Sequence, residues 1–216
     1  ELGCDYVEID VRMTKDNRFV IMHDRTVDRT TDGAGAVSEL DFAAIRTLDA
    51  GRKFSPQCAG EKVPTLDETL ALCKDKINVY LDHKDGPVAD ILKVVRKRGM
   101  EKQVIVYGGV DTLKEWKRLA PHIPVMPTPP AEFRRKGGLA DFKKLFAPEI
   151  LDGHVGGWTK EFVDEAHANG MKVYVDNLGP MDNPDGFRKA IEMGVDGIQT
   201  DDPDKLLATL RAMDRK

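Results

Sequence analysis

Gly99, Gly170 and Gly194 constrain this chain more than any other residues. Each follows a stretch whose apolar side chains recur at three and four positions, and each precedes a short β-branched run by only a few residues. A glycine just past a helix is the usual left-handed stop. Three helix, glycine, strand passages in succession point to a parallel α/β sheet. Seven runs read as strands: 6–10, 77–82, 104–107, 123–126, 150–152, 173–176 and 197–200. The clearest helices cover 88–98, 113–119, 160–168, 187–193 and 204–213, and 211–216 reads as a solvated helix end. With 41% apolar residues over 216 positions, the chain reads as a single domain, 1–216, with a sizeable core.

A (β/α)8 barrel accounts for the pattern better than an open doubly wound sheet. Polar groups recur where strands end: Glu8 and Asp10, Asp82 and Lys84, Asp152 and His154, Asp176 and Asn177, Asp201 and Asp202. A site built on one rim of a barrel requires that distribution. No strand is followed by the GxGxxG of a dinucleotide fold. A full barrel takes ~250 residues, so we expect the first βα unit to be missing from this sequence, whose opening ELGCDYVEID runs from a glycine turn straight into a strand. Residues 12–64 break the βα rhythm. They read as a hairpin turning at Asp16-Asn17, then a glycine-rich rim insertion of the kind that shapes a pocket.

The charge balance, 33 Lys+Arg against 37 Asp+Glu for a net −4, offers no basic face for nucleic acid. No apolar run approaches the ~18 residues of a membrane span. Cys4, Cys58 and Cys73 are odd in number and far apart, so buried free thiols are expected rather than a disulfide framework or a zinc knuckle.

The chemistry concentrates in Glu8-Ile9-Asp10. Strand residues two apart share a face, so the motif sets two carboxylates side by side, and like charges there call for a cation. Oxygen ligands suit Mg²⁺ or Ca²⁺, with Asp82 as the third acid. A bare ExD is otherwise a solvated strand edge. Lys84, two residues on from Asp82, could hold a phosphate oxygen. His23, at the end of the hairpin, is placed to move a proton, although a lone histidine there is more often structural. His122 and His167 read as structural, His83 alternates away from Asp82, and His154 is a rim residue. The DRTTDGAG segment (28–35) reads equally as a turn bonding its own backbone or as a loop shaping the pocket. Thr65 and Glu68 form a capping box that starts a helix.

Taken in order, DYVEIDVRMTKDNRFVIMHDRTVDRTTDGAG, GEKVPTLDETL, VYLDHK and MGVDGIQTDDPDKL resemble the glycerophosphodiester phosphodiesterase family over nearly the whole chain. The resemblance implies a barrel that uses one divalent cation, Mg²⁺ or Ca²⁺, to cleave glycerophosphodiesters into glycerol 3-phosphate and an alcohol. It implies Glu8, Asp10 and Asp82 as metal ligands, and His23 and Lys84 as catalytic, with Lys84 on the phosphate. It also implies two steps: the glycerol hydroxyl attacks phosphorus, and water opens the cyclic phosphate. Two histidines share the proton transfers, His23 protonating the leaving alcohol. His154 and Asp176 are carried as substrate-binding residues.

The sequence departs from the family pattern in three places. It begins beyond the family's His-Arg-Gly strand, so an impaired hydrolase is expected, or a homo-oligomer in which another copy completes the barrel edge. Asp82 stands where glutamate is usual, one methylene shorter. Asp176 lies in YVDNLG, where many members carry Trp-Thr as an apolar wall for glycerol. Two alternatives stay open: a barrel that binds phosphodiester or metal without turnover, and a lysophospholipase D-type enzyme.

Overall fold

The structure, a computed structural model, describes residues 2–213, so the expectation for the tail beyond Met213 lies outside the described residues. The chain divides into two compact units, Asp5–Ile123 and Pro124 onward together with the first few residues.

In the Asp5–Ile123 unit, strands β1 (Tyr6–Met13), β2 (Phe19–Ile21), β3 (Asn78–His83) and β4 (Val104–Tyr107) lie in the order β2-β1-β3-β4. β1, β3 and β4 run parallel. β2 folds back on β1 with Val11, Arg12 and Met13 opposite Ile21, Val20 and Phe19, so the expected hairpin forms. Its turn requires a left-handed residue, and Asn17 supplies it at φ 60°. Helices α1 (Phe42–Ile45), α2 (Leu66–Cys73), α3 (Val88–Arg98) and α4 (Val110–Leu119) complete the unit. α2 starts at the expected capping box: Glu68 N–H donates to Thr65 Oγ1 at 3.0 Å, and Thr65 N–H to Glu68 Oε2 at 2.8 Å. α3 stops at Gly99, left-handed at φ 65°.

The stretch between β2 and α2 is well packed. Val20, Met22, Val27, Val37, Ile45 and Val63 form a small core of their own. Asp49 organises the backbone around it, its carboxylate accepting from the N–H groups of Gly51 (3.0 Å), Arg52 (2.9 Å) and Gly60 (2.9 Å). Gly51 has no room for a side chain, because a Cβ there would stand 1.8 Å from the Cys58 carbonyl oxygen.

The other unit carries β5 (Val125–Met126), α5 (Gly138–Phe146), β6 (Ile150–Leu151), α6 (Lys160–Ala168), β7 (Lys172–Asp176), α7 (Pro184–Met193), β8 (Gly197–Gln199) and α8 (Pro203–Ala212). β6, β7 and β8 form a parallel sheet in that order. Helix α5 was not expected. Its start lacks a Ser, Thr, Asp or Asn cap, and its end, Ala147, is left-handed at φ 49° without being glycine. Its cap is tertiary instead: the Glu165 carboxylate on α6 accepts from the N–H groups of Gly137 (3.1 Å) and Leu139 (3.0 Å).

The cysteine expectation needs correction. All three thiols are free, but only Cys73 is buried; Cys58 is half-buried and Cys4 exposed. Cys73 lies on the inward face of α2, whereas Cys58 closes a short 3-10 turn on the outside of the segment between β2 and α2 and Cys4 precedes β1. Among the described residues no helix is long and apolar enough to cross a membrane.

Candidate metal centre and its proton-transfer neighbour

β1 and β3 build the site through their register. Glu8 pairs with Tyr80 and Asp10 with Asp82 across the ladder, and Tyr107 of β4 stands opposite Asp82. The alternation that directs Ile9, Val11 and Leu81 into apolar packing, each at most 5% exposed, directs Glu8, Asp10 and Asp82 to the other face. One carboxylate oxygen from each acid lies within 4.8 Å of the other two. Asp10 and Asp82 are buried and Glu8 half-buried.

The electrostatics show how strained three acids in one place are. Burial, then the charges of Asp10 and Asp82, pushes Glu8 up from 4.5 to about 8. Burial also raises Asp82, against the pull of Lys84. Lys84 is the protein's own counter-charge: its Nζ lies 3.1 Å from Asp10 Oδ1 and bonds to Asp82 Oδ2. Burial works against the ammonium, but its hydrogen bonds and ion pairs to Asp82 and Asp10 outweigh that and hold its pKa above the usual lysine value. The strand geometry carries one residue past β3, since Lys84 N–H donates to Val11 carbonyl at 3.2 Å, which keeps Lys84 on the acids' face.

Three hard carboxylate oxygens converging on a buried face, two of them with raised pKa, fit a hard divalent cation. Among the described residues it is the group of three or more ligating side chains close enough to hold one.

His23 follows β2, the strand that pairs with β1, which carries Glu8 and Asp10. Its ring is mostly exposed, and Nδ1 lies 2.7 Å from Asp24 Oδ1. Asp24 in turn accepts two bonds from Arg29, Nε to Oδ2 at 2.6 Å and Nη2 to Oδ1 at 2.9 Å. The Arg29 guanidinium, and then His23, holds the Asp24 carboxyl far below the usual range. The backbone of His23 is fixed as well: Arg12 donates to its carbonyl from Nη2 at 2.8 Å and Nε at 3.2 Å, while Arg12 Nη1 pairs with Asp85 at 3.0 Å. Glu8, Asp10 and Arg12 stand two apart along β1 and share a face.

Elsewhere in DRTTDGAG, Thr31 and Asp28 serve the backbone, while Thr30 Oγ1 donates to Met22 Sδ at 3.3 Å. Thr31 Oγ1 donates to Val27 carbonyl and accepts from Gly33 N–H, and Asp28 accepts from Gly35 N–H. Arg29 is the side chain of the segment that bonds to the partner of His23, through Asp24.

His83 faces the opposite side, as its alternation predicts. It is buried, with Nε2 donating to Gly86 carbonyl at 2.8 Å and Nδ1 accepting from Trp116 Nε1–H at 2.9 Å, and burial lowers its pKa. His122 pairs with Glu101 and His167 with Asp196 on the surface. In the other unit, His154 and Asp176 bridge the ends of β6 and β7; His154 Nδ1 accepts from Gly156 N–H at 3.0 Å, and burial raises Asp176.

Sequence reasoning missed Arg12, Asp24, Asp85 and Tyr107 as neighbours of the site. For Arg12 a signal existed in its i+2 spacing from Asp10, and for Asp24 in its place directly after His23. Asp85 and Tyr107 needed the folded register.

The model of the glycerophosphoryl diester phosphodiesterase family matches residues 1–205. The glycerophosphodiester phosphodiesterase of Caldanaerobacter subterraneus subsp. tengcongensis is 33% identical over 98% of this chain and 88% of its own length. The crystal structure of the glycerophosphodiester phosphodiesterase from Agrobacterium tumefaciens is 26% identical, with a TM-score of 0.81 over 96% of this chain and 88% of that one. A phosphodiesterase from Oleispira antarctica, solved in complex with its product sn-glycerol-3-phosphate, shares the fold at a TM-score of 0.87 and 23% identity, over 97% of this chain and 86% of that one.

Proposed function

Because the chain belongs to the glycerophosphoryl diester phosphodiesterase family of hydrolases, we propose that it hydrolyses glycerophosphodiesters to glycerol 3-phosphate and an alcohol, with a divalent cation held by Glu8, Asp10 and Asp82. A barrel arrangement of the βα units belongs to the same proposal and is supported by the fold shared with the solved family members. The observation that carries the reading is the convergence of three carboxylates from paired strands β1 and β3 on one face.

A hard dication in that cluster, Mg²⁺ or Ca²⁺, would offset negative charge on the phosphoryl oxygens. The protein's own groups do the rest. As the substrate's glycerol hydroxyl oxygen bonds to phosphorus, its proton passing to solvent, and the P–O bond to the alcohol breaks, His23 gives up the proton on Nε2 to the departing oxygen, so that it leaves as a neutral alcohol rather than an alkoxide. Lys84, already set among the acids, is within reach of a phosphate oxygen brought to them and supplies a second positive charge. His154 and Asp176 are the remaining candidates for binding substrate, Asp176 standing where many family members carry the apolar wall for glycerol.

The test is release of glycerol 3-phosphate from glycerophosphocholine with Mg²⁺ or Ca²⁺, compared with chelated protein and with His23→Ala and Asp82→Asn. Turnover that both variants and the chelator abolish is expected. Turnover that survives EDTA, or none under any metal, overturns the reading. Long-chain lysolipids assayed alongside separate the lysophospholipase D alternative, because that enzyme would prefer them to the soluble diester.

A further inference from the structure

We propose that Asp24, clamped by Arg29, is the positioning residue that fixes the tautomer of His23, so that Nε2 is the nitrogen that loses and regains the catalytic proton. This rests on the reading of His23 as the acid that protonates the leaving group.

The geometry leaves one arrangement of hydrogens. Asp24 is pinned by two donors on Arg29, one to each oxygen, so both oxygens act as acceptors. A carboxylate that only accepts obliges the imidazole nitrogen facing it at 2.7 Å to be N–H. Nδ1 therefore keeps its hydrogen in both the charged and the neutral ring, and Nε2 alone changes state. The Arg12 bonds to the His23 carbonyl fix the backbone from the other side, so ring and main chain are held by separate cations. Asp24 plays the part that a buried aspartate plays behind the histidine of hydrolytic triads: it orients the ring without itself taking up a proton. Here the ring is exposed rather than buried, and the rigidity comes from Arg29. This gives the arginine of the DRTT segment a task that turn formation alone does not.

After the first step Nε2 is bare; it takes a proton from the water whose oxygen bonds to phosphorus as the ring P–O bond of the cyclic phosphate breaks, the released glycerol oxygen picking up a solvent proton, and this restores the acid for the next cycle. No other atom of the dyad changes protonation.

Substitution separates the roles. In Asp24→Asn one oxygen becomes an amide that donates. Arg29 takes the remaining oxygen, the amide faces Nδ1, and the neutral ring is driven to the Nε2–H tautomer. Arg29→Met leaves the carboxylate in place but unpinned, and Arg29→Lys restores a single donor.

Nitrogen-15 NMR of the histidine-labelled full chain, free of substrate and above the imidazole titration, reads the tautomer directly. Protonated Nδ1 on His23 is expected in the parent and in Arg29→Lys, with a shift toward protonated Nε2 in Asp24→Asn. Kinetics should show kcat reduced on the order of 100-fold in Asp24→Asn, with KM nearly unchanged. That loss should all but vanish with a p-nitrophenyl diester, whose leaving group needs no proton. Nε2 protonation in the parent ring, or full kcat in Asp24→Asn where His23→Ala is dead, overturns the proposal. Full activity in His23→Ala instead overturns the acid assignment, and the NMR result still decides the tautomer.

Discussion

Asp10 and Asp82 are register partners across the β1–β3 ladder, and a single ammonium, that of Lys84, bonds to both. The pairing gives the acidic cluster a resident positive charge. Lys84 therefore influences both the fold and any cation that binds.

Lys84→Met should destabilise the chelated protein more than the metal-loaded one. Removing one partner of a buried ion pair costs ~3–5 kcal/mol, and with the Lys84 side chain a quarter exposed we expect about 2 kcal/mol. Urea denaturation with and without Mg²⁺ measures it. Equal losses in both conditions would show that the ammonium and the cation do not share the acids.

Cation binding should release protons near neutral pH. Glu8 titrates at about 8 in the folded chain against 4.5 for the ordinary group, so between those values the folded state holds a proton that the unfolded state has lost. With respect to Glu8, the metal-free protein accordingly becomes less stable as pH rises from 4.5 to about 8, and the raised Asp82 acts in the same direction. A cation must displace that proton, so its affinity rises with pH over the same window. Calorimetry at pH 7 in two buffers of different ionisation enthalpy should show unequal apparent heats, and identical heats would remove Glu8 from the ligand set.

Trp116→Phe should cost about 2 kcal/mol, since it leaves the buried Nδ1 of His83 without its donor and opens a small void. Metal affinity should not change. A parallel loss of Mg²⁺ or Ca²⁺ binding would draw His83 into the site.

Asp49→Ala removes the acceptor for three backbone N–H groups in the segment between β2 and α2. Hydrogen exchange at Gly51, Arg52 and Gly60 should accelerate together, while amides of β3 keep their protection. Uniform acceleration through β3 would mean that this segment and the sheet open as one unit.

Much of this was legible in the chain. Asn17, Gly99 and the Thr65–Glu68 box carry their conformational instruction locally, and the structure follows each. The acid trio was readable because period-two alternation and a strand end are properties of short stretches. Helix α5 was not readable because its cap is Glu165, 26 residues beyond Leu139. The i+2 spacing put Arg12 on the acids' face, but its bonds to the His23 carbonyl, and those of Arg29 to Asp24, depend on how the chain turns after β2.

Since Glu8, Asp10 and Arg12 alternate along one strand, a slip of β1 by a single position would turn the cation ligands and the anchor of the His23 carbonyl to the wrong side together. Ligation and proton delivery thus share one mechanical failure point. Sequence drift in the aliphatic residues that lock the ladder, Ile9, Val11 and Leu81, is therefore as dangerous to turnover as drift in the acids themselves.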